Sequence, residues 1–149
     1  MTLSLHRKPV SMMICMTLAA VLFSAQVMAQ EMFKHGISWD ILMTLDGKYP
    51  SDEASAAVLD PPLRELLKDK YQEFSDYYQV QTPMEIDNEV LLSTAMASHS
   101  GGDFASFALF GMNGDLLAVI KRNSELEYIG SKLLLENPAV VKYLKFYDR

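Results

Sequence analysis

Cysteine is nearly absent. The one cysteine among 149 residues is Cys15, so no intrachain disulfide can form anywhere in the protein. Histidine is also scarce: His6, His35 and His99 are the only three. With no His-x-x-x-His pair, no cysteine ligand set and no calcium-loop spacing, nothing in the chain is patterned to hold a metal, and no metal or other cofactor is expected. A Walker-type loop and a dinucleotide fingerprint are missing too. Gly101-Gly102 is not followed by the helix that a phosphate cradle needs. Basic charge is in deficit, with 13 Lys and Arg against 19 Asp and Glu. Nucleic acid, which requires a basic footprint, is therefore excluded as a partner, and anionic lipid is disfavoured. Long apolar runs are limited to Met12 to Phe23, "MMICMTLAAVLF", well short of the roughly 20 residues of a membrane span.

That one run has a function. His6-Arg7-Lys8 precedes it as a basic region, and Ser24 to Ala29 follows with small and polar residues ending in Val27-Met28-Ala29. Basic region, short apolar core and small-residue site are the layout of a cleavable secretion signal. Residues 1–29 are expected to leave after Ala29, so the protein is expected to be periplasmic or secreted. Cys15 lies inside the apolar run and not just after it, which argues against a lipid-modified cysteine, and it departs with the signal. Without Arg7 and Lys8, 11 basic residues remain against 19 acidic ones, a formal charge of −8 that favours a cationic partner at long range.

Residues 30–149 are expected to form a single domain, with no internal repeat and no low-complexity linker. Ile37 to Leu45 ("ISWDILMTL") places Trp39, Leu42 and Leu45 roughly on one side of a short helix, broken by Asp46-Gly47-Lys48-Tyr49-Pro50. Ser51 to Leu59 adds a turn or two. The clearest helix is expected to begin at Asp60-Pro61-Pro62, with Asp60 as cap and Pro61 in the first position. Leu63, Leu66, Leu67, Tyr71, Phe74 and Tyr78 continue it at helical spacing.

After Thr82-Pro83 the pattern turns to strands: Glu85 to Asp87 and Glu89 to Ala97 around an Asp87-Asn88 turn, then Phe104 to Phe110, Leu116 to Lys121 and Leu126 to Ile129. Asn113-Gly114 predicts a tight hairpin with positive φ at both central residues. Asn137-Pro138 caps a closing helix carrying Val140, Val141, Leu144 and Tyr147. Helices, an antiparallel meander and a last helix make an α+β domain, with the helices expected on one side of the sheet.

On this layout the residues 98–103 join two neighbouring strands, and His99 stands at the tip. Ser98, Ser100 and Asp103 beside it supply hydroxyls and a carboxylate, but members of a catalytic triad normally come from separate elements. An enzyme is therefore not expected. The candidate site is a binding loop made of Ser98, His99, Ser100, Gly101, Gly102 and Asp103, with Gly101 and Gly102 loosening its tip.

The chain resembles the Ivy family, the periplasmic inhibitors of vertebrate lysozyme. Members carry a loop of the form Cys-Lys-Pro-His-x-Cys between two strands, and Met96-Ala97-Ser98-His99-Ser100-Gly101 occupies its register. The helix rich in Leu and aromatic residues before the loop, the segment Tyr78 to Met84, the Asn113-Gly114 hairpin and the Asn/Pro-capped last helix follow the family's order over residues 53–145. Both loop cysteines are replaced, by Met96 and Gly101, and the Lys-Pro pair by Ala97-Ser98.

The resemblance implies an Ivy-like α+β fold and a protein partner: a basic lysozyme or another peptidoglycan-cleaving enzyme. The 98–103 loop would plug its cleft, with His99 on the catalytic carboxylates. Two alternatives share the fold: an immunity protein against a peptidoglycan-degrading toxin, and a periplasmic interaction module without inhibitory activity. A homodimer through exposed apolar strand faces is compatible with all of them.

Overall fold

A computed structural model describes residues 37–147. The expected signal segment 1–29 with its expected cleavage site, Cys15 and His35 lie outside the described residues.

Helix α1 (Trp39–Met43) buries Leu42 and is followed by buried Leu45. The chain then turns through Gly47, whose φ of 74° suits glycine. Gly47 N–H donates to the Met84 carbonyl and Met84 N–H to the Lys48 carbonyl, each at 2.8 Å, which pins this corner to the approach of the sheet.

Helix α2 runs from Glu53 to Leu67 with Asp60, Pro61 and Pro62 inside it. The expected start at Asp60 is therefore incorrect. Each proline removes an i→i−4 hydrogen bond, yet Leu59, Leu63 and Leu67 sit four apart on one buried stripe across them. Ending the helix at Asp60 would take Leu59 off that stripe, so packing outweighs local propensity. Asp60, freed from capping, accepts hydrogen bonds from Arg64 Nε at 2.6 Å and from the Tyr71 hydroxyl. Burial and that carboxylate raise the Tyr71 phenol to about 12, so it stays a neutral donor.

The expected continuous helix to Tyr78 divides at Lys68, which adopts φ 52°. A 3₁₀ turn (Lys68–Lys70) leads into α3 (Tyr71–Asp76), which buries Phe74.

Strands β1 (Val80–Gln81) and β2 (Glu85–Asp87) both pair with one edge of β3 (Val90–Met96). The meander continues through β4 (Phe104–Gly111), β5 (Leu116–Arg122) and β6 (Glu125–Gly130), all antiparallel. The turn between β2 and β3 is Asn88-Glu89, both at positive φ (48° and 64°). The turn at Asn113-Gly114 is not of that kind, because only Gly114 has positive φ (79°). Its bonds, Gly114 N–H to the Gly111 carbonyl and Gly111 N–H to the Asp115 carbonyl, close a three-residue loop with the glycine in the left-handed position.

The α+β class and the antiparallel sheet are as expected, but the helices occupy both faces of the sheet and not one. Leu91, Ala108, Phe110, Leu116, Ala118 and Ile120 pack under α1, α2 and α3. The alternate residues, among them Val90, Leu92, Phe107, Leu109, Leu117 and Val119, pack under Leu134 of a second 3₁₀ segment (Lys132–Glu136) and under Val140 and Leu144 of α4 (Pro138–Tyr147). Uninterrupted apolar strands such as Leu116 to Ile120 require cover on both sides. Asn137 caps α4 as expected, its Oδ1 accepting from Ala139 N–H at 2.9 Å.

Candidate functional site

The β3–β4 ladder runs past its last strand pair to one more bond, from Ala97 N–H to the Phe104 carbonyl at 2.9 Å. The six residues 98–103 stand above it. Ser98, His99, Gly101 and Asp103 are exposed; Ser100 and Gly102 are half-buried. Positive φ at His99 (60°), Gly101 (63°) and Gly102 (93°) folds the tip sharply back. For His99 that conformation costs on the order of 1 kcal/mol. Its imidazole has no hydrogen-bond or ionic partner among the described residues.

Ser100 is turned inward. Its hydroxyl donates to the Ala97 carbonyl at 2.8 Å, with longer approaches of 3.4 Å to the Phe104 carbonyl and from Gly102 N–H. Asp103 N–H donates to the Ser100 carbonyl at 3.1 Å. These bonds close the base of the loop without a covalent cross-link, and the first of them contributes about 1 kcal/mol.

Residues distant in sequence brace the same base. Ser98 N–H donates to Gln79 Oε1 at 3.3 Å, Asn123 N–H to the Asp103 carbonyl at 2.6 Å, and the Tyr77 ring lies 5.2 Å from that of Phe104. Phe104 is paired with Arg122. The Arg122 guanidinium clasps both oxygens of Glu73 on α3, the Nη2 bond being 2.6 Å, and reaches Glu127 at 2.9 Å. Lys70 completes the group at Glu127. The bond from Arg122 holds the Glu73 carboxyl below the usual carboxylate range, and Lys70 then Arg122 do the same for Glu127. The loop therefore has a mobile-looking composition but a fixed foundation, because helix and sheet are clamped together directly beneath it.

Nothing in the local sequence announces Gln79, Tyr77, Asn123 or the Arg122–Glu73 pair. They reach the loop only through sheet register, and Gln79 is already 19 residues from its partner.

Concave surface lies elsewhere. A hollow of about 180 Å³ between α2 and α3 is lined by Asp60, Tyr71, Phe74 and Tyr78 among others. Its carboxylate already accepts from Arg64 and Tyr71, and Tyr78 bonds Ser93. No group of three or more metal-ligating side chains occurs among the described residues. The loop is a convex, hydrogen-bonding projection with a free imidazole at its apex.

The family model described as inhibitor of vertebrate lysozyme (Ivy) matches residues 58–142, more than half of the chain and the whole of the braced loop. No curated protein and no solved structure matches.

Proposed function

The chain belongs to the Ivy family of inhibitors of vertebrate lysozyme, and from that premise we propose that it is an exported inhibitor of a peptidoglycan-cleaving enzyme. Residues 98–103 enter the active-site cleft of that enzyme, and His99 hydrogen-bonds its catalytic carboxylates. The observation that carries this reading is the exposed, unpartnered His99 at the apex of a loop inside the matched region. Ser98 and Asp103, also exposed, supply further polar contacts, while Ser100 holds the loop in shape. Export rests on the basic, apolar and small-residue layout of residues 1–29. No helix among the described residues is long and apolar enough to cross a membrane.

An excess of acidic residues over basic ones matches a basic target and accelerates encounter. The test is a titration of residues 30–149 against a vertebrate c-type lysozyme digesting peptidoglycan, repeated over salt. Inhibition is expected to weaken as salt rises. A binding curve flat in salt contradicts the electrostatic match between this acidic chain and a basic target.

A further inference from the structure

A six-residue loop is too small to be a whole binding site. A stable protein–protein interface covers about 800 Å² per partner, from roughly 20–30 residues a side. Whatever the loop enters must therefore also touch neighbouring parts of this domain, and the register shows which parts stand at the right height.

On one flank, Val80 pairs with Met96, so Gln79 lies level with Ala97 at the loop's base, where its side chain already takes the Ser98 N–H. On the other flank, Arg122 pairs with Phe104, so the two-residue turn Asn123-Ser124 begins at the level where residue 103 leaves the sheet. The 2.6 Å bond from Asn123 N–H to the Asp103 carbonyl joins turn and loop. A six-residue loop rises at most about three residues above its last pair and a two-residue turn about one, so at ~3.3 Å per residue the loop stands up to roughly 7 Å higher. This is the profile of a finger between two shoulders. Both shoulders are exposed: Gln79, Asn123 and Ser124 are polar, and Val80 is 50% exposed, an apolar side chain of the kind found at interface cores.

We infer that the Gln79–Val80 and Asn123–Ser124 shoulders form a second contact zone, seated on the rim of the target's cleft when the 98–103 loop enters it. The partner that fits is an enzyme with a substrate groove no deeper than the loop's reach above its shoulders, bordered by one rim that accepts an aliphatic side chain and one that is polar. This inference rests on the inhibitor reading above. It adds that the rims, and not the carboxylates common to such enzymes, decide which enzyme is inhibited. The Arg122–Glu73 clasp is then a positioning device for the shoulder as well as for the loop, since Arg122 immediately precedes Asn123.

The test uses the full mature chain, residues 30–149, against a vertebrate c-type lysozyme, with variants V80E and S124R and a control, N113R, in the turn at the opposite end of the sheet. All three positions are exposed turn or edge positions, and thermal melting checks that each variant folds. Inhibition is expected to weaken about tenfold in each shoulder variant, as for a contact of moderate weight, and to be unchanged in N113R. Shoulder variants that inhibit like the wild type, while H99A does not inhibit, overturn the shoulders and leave the loop reading standing. A wild-type protein that inhibits neither this lysozyme nor a bacterial peptidoglycan hydrolase overturns both.

Discussion

At one end of β4 the chain turns through Met112, Asn113 and Gly114; at the other it arrives through residues 98–103. The first connection is as short as the strands allow and lies close against the body of the protein. A methyl group added to Gly111 would come within 2.9 Å of Leu134 Cδ2. The second is longer than pairing requires, and Cβ atoms added at Gly101 or Gly102 would meet nothing within 4 Å. Both are hydrogen-bonded hairpins of one strand, so the difference is not imposed by the sheet. The short turn completes the fold, whereas the long loop carries backbone strain at His99, an exposed residue with no partner among the described residues. Loops held on rigid scaffolds are where binding residues collect. Here the Arg122–Glu73–Glu127–Lys70 group ties helix to sheet at that end.

The largest expected effect is a separation of roles between these two hairpins. Replacing 98–103 by an Asn-Gly turn is expected to abolish lysozyme inhibition while the melting temperature stays near that of the wild type. The complementary change, Gly114→Ala, is expected to cost about 1 kcal/mol of stability because that turn position has φ 79° and to leave the inhibition constant unchanged. Denaturant unfolding and an inhibition assay on both variants check the pair. If either substitution moves both quantities together, the two hairpins are not functionally distinct.

A smaller effect is expected from Ser100→Ala. Losing the 2.8 Å bond to the Ala97 carbonyl removes about 1 kcal/mol of loop order, equivalent to about fivefold in the inhibition constant. Ser100→Thr, which keeps the hydroxyl, is expected to restore most of it. Equal inhibition by the alanine and wild-type proteins would assign the loop's shape to other bonds.

The smallest effect concerns pH. Glu73 and Glu127 have carboxyl groups depressed by Arg122 and Lys70, so their contribution to stability is present above the ordinary glutamate range, near about 4.3, and is lost as pH falls through their lower folded values. These side chains are about one-third exposed, so solvent screens much of the gain. Glu73→Gln is expected to lower the melting temperature slightly at pH 7, with the gap to wild type closing as the solution is acidified. A gap that widens on acidification would have the wrong sign for this ion pair.

The meander from β2 to β6, the closing helix with its Asn137 cap and the bounds of the loop were all legible in the sequence, because period, turn residues and caps act over a few neighbours. Other features were not, β1 (Val80–Gln81) and the break at Lys68 among them. The run of α2 through Pro61 and Pro62 depends on Leu59 finding the same core as Leu63 and Leu67, a tertiary effect that reverses a strong local stop signal. Cover on both faces of the sheet had a signal in the unbroken apolar stretch Leu116 to Ile120 of β5. The bracing of the loop by Gln79, Asn123 and Arg122 had no local signal, since register alone brings those residues together. Ser100 shows the limit most clearly. Its type suits either target binding or loop closure, and only the direction of its hydroxyl assigns it to the latter.

The most direct test of the central claim is the inhibition constant of the mature protein against a vertebrate c-type lysozyme, measured beside His99→Ala. His99 has no partner among the described residues, so the variant is expected to melt like the wild type and to inhibit at least a hundredfold more weakly, about 3 kcal/mol at the centre of an interface. A His99→Ala protein that inhibits as strongly as the wild type would contradict the assignment of the loop as the binding finger.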